Sequence, residues 1–250
     1  MLSFYCSNKN NFMRFAINGS FFTAAFSIIS ALIFSACNTE LSPAPSAKEY
    51  RAQDFLLPSR LGVQTTFRIM HIIADSNGVR DTSFPGYVSY IVADTAYKFT
   101  PRIKAILLLV RESDTNGVKF ADDSLFVFSG GGEIRLSTYY TDSVGRRLIA
   151  EPIRDGATFK RTDDSLPSSI VTIQSAQYQL ATNLRIFSTV KTTRRFTSEI
   201  DNIRRELIFE NYLAPGHFLV KQVSTDTETN MHTGKSYSSI IQYNLFFKNF

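Results

Sequence analysis

Apolar residues along most of this chain recur at every second position, the period of a strand with one face buried. Residues 66–72 alternate imperfectly, and 87–92 are β-branched and aromatic. Residues 104–110, KAILLLV, form a continuous apolar run short enough for a strand buried on both faces. Further short segments of strand character span 124–129, 133–140, 147–150, 169–174, 180–190, 205–213, 217–223 and 236–247. The punctuation between them agrees. Asn77-Gly78 and Asn116-Gly117 suit tight hairpin turns because both residue types tolerate positive φ, and 130–132 (GGG) and 142–145 (DSVG) read as further turns. One helical candidate exists at 198–207, where Ser198 and Asp201 fit a capping box and Ile200, Ile203 and Leu207 share a face. A hairpin centred on Asp201-Asn202 is the better reading, since strand-like stretches flank it on both sides.

The start of the chain follows a different pattern. Lys9 and Arg14 are its only charges before a run from Phe15 to Ala36 that carries none, and the run stops at Cys37. A positive start, an apolar stretch and small residues before a cut site describe a secretory signal. Ile33-Phe34-Ser35-Ala36-Cys37 resembles the lipobox of bacterial lipoproteins, with Phe34 where Leu is commoner. That resemblance implies cleavage between Ala36 and Cys37 and lipidation of Cys37. Met13 is an alternative start that gives a compact signal with Arg14 as its charge. A transmembrane anchor is disfavoured, because Asn18, Ser20, Thr23, Ser27 and Ser30 interrupt the run and no basic cluster follows it.

The expected organisation is a signal peptide over 1–36, a lipidated cysteine and flexible tether over 37–54, and a β-rich domain over 55–250. The tether reading rests on two prolines and several small polar residues in NTELSPAPSAKEY, residues 38–50. Losing Lys9 and Arg14 reduces 27 basic residues to 25 against 22 acidic ones, and leaves Cys37 as the sole cysteine. So even a balance gives no extended electropositive surface for nucleic acid, and no internal disulfide can form. The mature chain retains 15 of the 22 Phe, ample for a core.

Three phrases carry a second resemblance: 57–62 (LPSRLG) with Phe67 after it, 151–159 (EPIRDGATF) and 212–221 (YLAPGHFLVK). They resemble uncharacterised β-rich lipoproteins of the bacterial envelope, which usually place Trp after the glycine in the first two phrases; this chain has no Trp. The resemblance implies a strongly curved antiparallel sheet similar to the half-barrel of lipoprotein carriers, and no established activity. The fold class expected is therefore all-β, a curved antiparallel meander sheet or half-barrel with little or no helix after the signal peptide. In physical terms the phrases are turns, with Gly216 supplying an unusual φ in the third.

Candidate chemistry is sparse. His71, His217 and His232 lack the close spacing of a zinc site, and no Gly-x-Ser-x-Gly frames a nucleophile. Asp122-Asp123 and Asp163-Asp164 lack the glycine and distal glutamate of an EF-hand loop and read as solvated turns. The segments 114–125 and 155–166 agree at six of twelve positions, which two similarly built acidic turns explain. No metal or cofactor is expected. A possible charged patch comprises Lys191, Arg194, Arg195, Arg204 and Arg205, gathered near a hairpin end and interleaved with Glu199, Asp201 and Glu206.

Three functional classes follow. The first is a non-enzymatic protein of the cell envelope, held at the outer membrane by Cys37, whose β domain has a structural or interaction role with another envelope protein as partner. The second is a carrier of lipid or another hydrophobic ligand, and the third a hydrolase with a dispersed active site.

Overall fold

The computed structural model describes residues 49–56, 60–98, 104–138, 145–161 and 170–249. The signal segment, Ala36, Cys37 and the chain up to residue 48 lie outside the described residues. Among the described residues, twelve strands follow one 3-10 turn at Ala52–Phe55: β1 Gln64–Asp75, β2 Gly78–Lys98, β3 Lys104–Ser113, β4 Lys119–Gly130, β5 Glu133–Ser137, β6 Arg146–Ala150, β7 Thr158–Lys160, β8 Ile170–Ala181, β9 Ile186–Ile200, β10 Ile203–Ala214, β11 Phe218–Asn230 and β12 Ser236–Lys248. All pairings are antiparallel, in the order β6-β5-β4-β3-β2-β1-β12-β11-β10-β9-β8-β7. The expected curved meander is thus present, and it goes further than a half-barrel. Pairing of β1 with β12 joins two six-strand meanders into a ring nearly closed as a barrel, with one seam between β6 and β7. Those edge strands are five and three residues long, which leaves little open edge for another chain to pair with.

The turns form as their residues demand. Asp201 and Asn202 take φ of 50° and 62°, both left-handed, as a two-residue hairpin loop requires, and β9 runs straight into β10. This settles 198–207 as hairpin rather than helix. Gly131 and Gly132 do the same between β4 and β5, at 60° and 76°. Of the turn predicted at 142–145, residues 142–144 lie outside the described residues, as do Asp163 and Asp164; Gly145 takes a φ of 52°.

Two strand expectations are corrected. Residues 180–190 are not one strand: β8 ends at Ala181, and Thr182–Arg185 form a turn closed by Thr182 N donating to Arg185 O at 3.0 Å. Within 104–110, Leu108 is fully buried while Leu109 is 39% exposed, so β3 alternates and is not covered on both faces. On the row opposite Leu108, a small separate cluster of Ala105 and Phe126 with Tyr97, Leu107 and Phe128 covers the start of β3, and Leu109 beyond it stays exposed.

The inner face holds one continuous apolar core. Phe67, Leu108, Ile134, Ile149, Ile173, Val190, Leu213, Val220 and Leu245 are each at most 2% exposed. The folded body also begins earlier than the tether reading places it. Glu49 already belongs to the compact unit, Tyr50 bridges to Ile153, and Ala52 and Phe55 are 1% and 0% exposed within the core. The sequence there shows no period because a single 3-10 turn is too short to display one.

Candidate functional site

The inner face changes character along the strands. On β9, β10 and β11 alternate residues share the lumen side, with Val190, Leu213 and Val220 as its apolar floor. One step along, Thr192 pairs with Asn211, which pairs in turn with Gln222; beyond them Arg194 pairs with Phe209. The Arg194 guanidinium lies over the Phe209 ring, 4.4 Å from its centroid, and Arg194 is only 7% exposed. From the seam side come Arg146 and Arg147 of β6 and Arg161 just past β7. Together with Tyr90 of β2, these residues enclose a cavity of about 100 Å³, and no carboxylate is among the described residues lining it. Burial pushes the Tyr90 hydroxyl pKa up to about 12; Tyr243 reinforces the rise and Arg146 opposes it. Arg147 is held by Glu133 and donates to Lys160 O at 2.8 Å, a side-chain link between β6 and β7 where the barrel seam lies.

The five basic residues singled out in the sequence do not gather at one hairpin end. Arg194 and Arg205 belong to the lumen-side row, while Lys191, Arg195 and Arg204 alternate onto the outer row. Lys191 also lies about 30 Å from the 201–202 tip, nine residues at roughly 3.3 Å each. Acidic partners neutralise three of them: Lys191 meets Glu210 at 2.6 Å, Arg195 meets Glu206 at 3.3 Å, and Arg205 Nε meets Asp226 at 3.0 Å. Burial opposes the charge on Lys191, yet Glu210 and Tyr212 prevail and hold its pKa above the ordinary lysine value. The Arg195 and Arg205 pairs are the more solvated ones and contribute little to stability.

The three histidines stay apart. His71 shares a 2.9 Å hydrogen bond with Ser239 Oγ, and His232 sits in the exposed turn between β11 and β12. His217 lies in the β10–β11 turn, edge-on to Phe187 at 5.1 Å, with Lys248 Nζ 3.0 Å from its Nδ1 and Arg185 against its other ring nitrogen. Burial first, then the neighbouring Lys248 and Arg185, lowers the His217 pKa to about 4. Among the described residues no group of three or more His, Cys, Asp or Glu could hold a metal ion. Asp122 is engaged by Lys119 and Arg111, which hold its carboxyl below the usual range.

The His217 arrangement gives a pH signature. Because its folded pKa lies below the ordinary 6.5, the unfolded state binds more protons between pH 4 and 6.5, and stability is lost as pH falls through that window. The thermal midpoint of His217→Gln is expected to drop less than that of the parent between pH 7 and pH 4.5. Equal drops would remove His217 from the account.

No protein-family model matches the sequence, and neither does any curated protein. Among solved structures, one similar chain is a protein of Bacteroides fragilis provisionally described as exported and as having a YmcC-like fold. It is 12% identical, with 75% of this chain and 97% of that chain covered and a TM-score of 0.42. Another is a provisionally described lipoprotein of Parabacteroides distasonis, 14% identical, with 76% and 97% covered and a TM-score of 0.40. Likeness at this distance leaves the function to be read from the chain's own residues.

Proposed function

We propose that this chain is a lipid-anchored protein of the cell envelope whose β body is a non-catalytic interaction module. The anchor reading is carried by Ile33-Phe34-Ser35-Ala36-Cys37 at the end of an uncharged run. For the body, the observation that supports an interaction role is the filled lumen. Apolar side chains pack its floor, and the cavity that the described residues line there is about 100 Å³, against the roughly 300–1,000 Å³ of pockets that enclose small molecules. A carrier that swallows acyl chains needs a larger void. The histidines that a dispersed hydrolase site would use lie on separate strands and turns.

Lipidation at Cys37 is what fractionation tests. A diacyl or triacyl group anchors more firmly than a single chain, since each buried methylene adds about 0.8 kcal/mol. Cys37→Ser is expected to leave the membrane fraction after alkaline wash, or to accumulate unprocessed. A Cys37→Ser protein that stays in the washed membranes at its processed size would contradict the anchor.

A further inference from the structure

The outer wall carries a groove of its own, away from the seam. Arg68 of β1, Asn244 of β12 and Lys221 of β11 stand side by side on the outer row, and Met70 and Gln242 follow two residues along. The turn at Thr182–Arg185 closes the other side, bringing Thr182 and Asn183 against them around a groove of about 360 Å³. Its surroundings are apolar: Phe84 and Phe246 are 39% and 43% exposed, and Leu184 in the turn and Ile186 just after it are 48% and 69% exposed. Exposed apolar side chains are ordinary singly, but four around one groove mark an interaction surface. The cations here meet rings rather than carboxylates. Arg68 lies 3.7 Å over the Phe84 ring, Lys221 Nζ lies 5.8 Å from the Tyr212 ring, and Arg185 lies 4.5 Å over Phe187 and also touches His217. No acidic side chain is among the described residues that line the groove. Lys191, Arg195 and Arg205, elsewhere on the barrel, each have an acidic partner.

The chain that leads back to Cys37 leaves the body beside this turn. Tyr50 Oη lies 3.5 Å from Ser188 Oγ, two residues from Ile186, and Gly216 N donates to Asp54 O at 2.7 Å, one residue from the His217 that Arg185 touches. Glu49 follows Cys37 by twelve residues, a span of at most roughly 40 Å. A bilayer interface takes aromatic and aliphatic side chains at headgroup level, and an anionic one attracts cations that no carboxylate neutralises. We propose that this face, between the β8–β9 turn and the outer row of β1, β12 and β11, docks on the surface of an anionic bilayer. Arg68, Lys221 and Arg185 supply the charge, and Phe84, Phe246, Leu184 and Ile186 supply the apolar contact. The choice of a bilayer as partner rests on the anchor at Cys37. Docking holds the hairpin at 201–202, the far end of β9, away from the membrane.

The test uses the chain expressed in full, extracted from membranes and reconstituted into vesicles of phosphatidylcholine with a quarter phosphatidylglycerol, their acyl chains brominated. A bimane fluorophore is placed on Asn183→Cys in the groove and, separately, on Asn77→Cys in the β1–β2 turn at the other end of the barrel. Quenching by the brominated lipid is expected at 183 and not at 77. Arg68→Gln, Lys221→Gln and Arg185→Gln should each lower the ratio of docked to lifted protein about fivefold, the effect of one cation beside an anionic surface. Arg204→Gln, near the 201–202 hairpin, should leave it unchanged. Arg68 and Arg185 are exposed, so their variants fold as the parent does. The intact mass of the same preparation reads acylation of Cys37 independently. An acylated chain with no quenching at 183, or with equal quenching at 77, overturns the docking and leaves the anchor in place. An unacylated mass removes the anchor, and quenching at 183 alone then decides the docking. Quenching that none of the three variants lowers also overturns the proposal.

Discussion

Phe55→Ala is expected to destabilise the β body by about 3–5 kcal/mol, the range for removing a fully buried aromatic ring that its surroundings cannot refill. For a domain of this size that is a fall of roughly 10 °C or more in Tm. Phe55 has no exposed surface and meets Tyr50 edge-on, with ring centroids 5.3 Å apart. The turn that carries it is pinned on both sides. Ala52 N donates to Glu151 Oε1 at 2.9 Å, Gly216 N donates to Asp54 O at 2.7 Å, and Arg51 N is capped by Asp54 at 2.8 Å. Because the segment is a plug held by neighbours rather than a strand of the ring, the variant should keep its far-ultraviolet strand signal while its urea midpoint falls. A loss below about 1 kcal/mol would mean that the body folds without residues 49–56 and that the tether extends to Phe55 after all.

Gly86→Ala is the second large effect. Gly86 sits within β2 at a φ of 153°, a conformation L side chains rarely adopt. A Cβ built there would lie 2.0 Å from Ser113 O and 3.0 Å from Asp114 Cα, both backbone atoms at the end of β3. No rotamer can relieve that contact, so β2 and β3 must separate. The expected cost is about 3 kcal/mol or more, combining backbone strain with overpacking. Gly130→Ala is the matched control, since nothing lies within 4 Å of its added methyl and its φ is ordinary; it should be nearly neutral. Similar midpoints for the two variants in urea would show that the close approach of β2 and β3 is not rigid.

Both positions illustrate what the sequence could and could not carry. Local information was enough for the strand class and for the 201–202 hairpin, because alternation and paired turn residues act within a few positions. The 180–190 segment misled because Thr182-Asn183-Leu184-Arg185 lacks glycine and proline and still turns, stabilised by the Thr182 side chain donating to Arg185 O at 2.9 Å. The pairing of β1 with β12, which converts a curved sheet into a ring, joins residues some 180 positions apart and has no periodic signature. Gly86 was silent for the same reason: its neighbour is the backbone of another strand.

The lumen cavity was hidden by a related effect. Arg194 and Arg195 read as one charged cluster along the chain, yet alternation sends Arg194 into the lumen and Arg195 to the outer face. Arg146 and Arg161 carry no motif, and only closure of the ring brings them toward Arg194. An alternation count applied strictly to β9, starting from buried Val190, would have placed Arg194 inside.

The central claim is that the chain reaches the envelope as a protein cleaved before Cys37 and acylated on it. The intact mass of the denatured protein, extracted from membranes, tests this most directly. The account predicts the mass of residues 37–250 plus two or three acyl groups. An unmodified mass that includes residues 1–36 would contradict it.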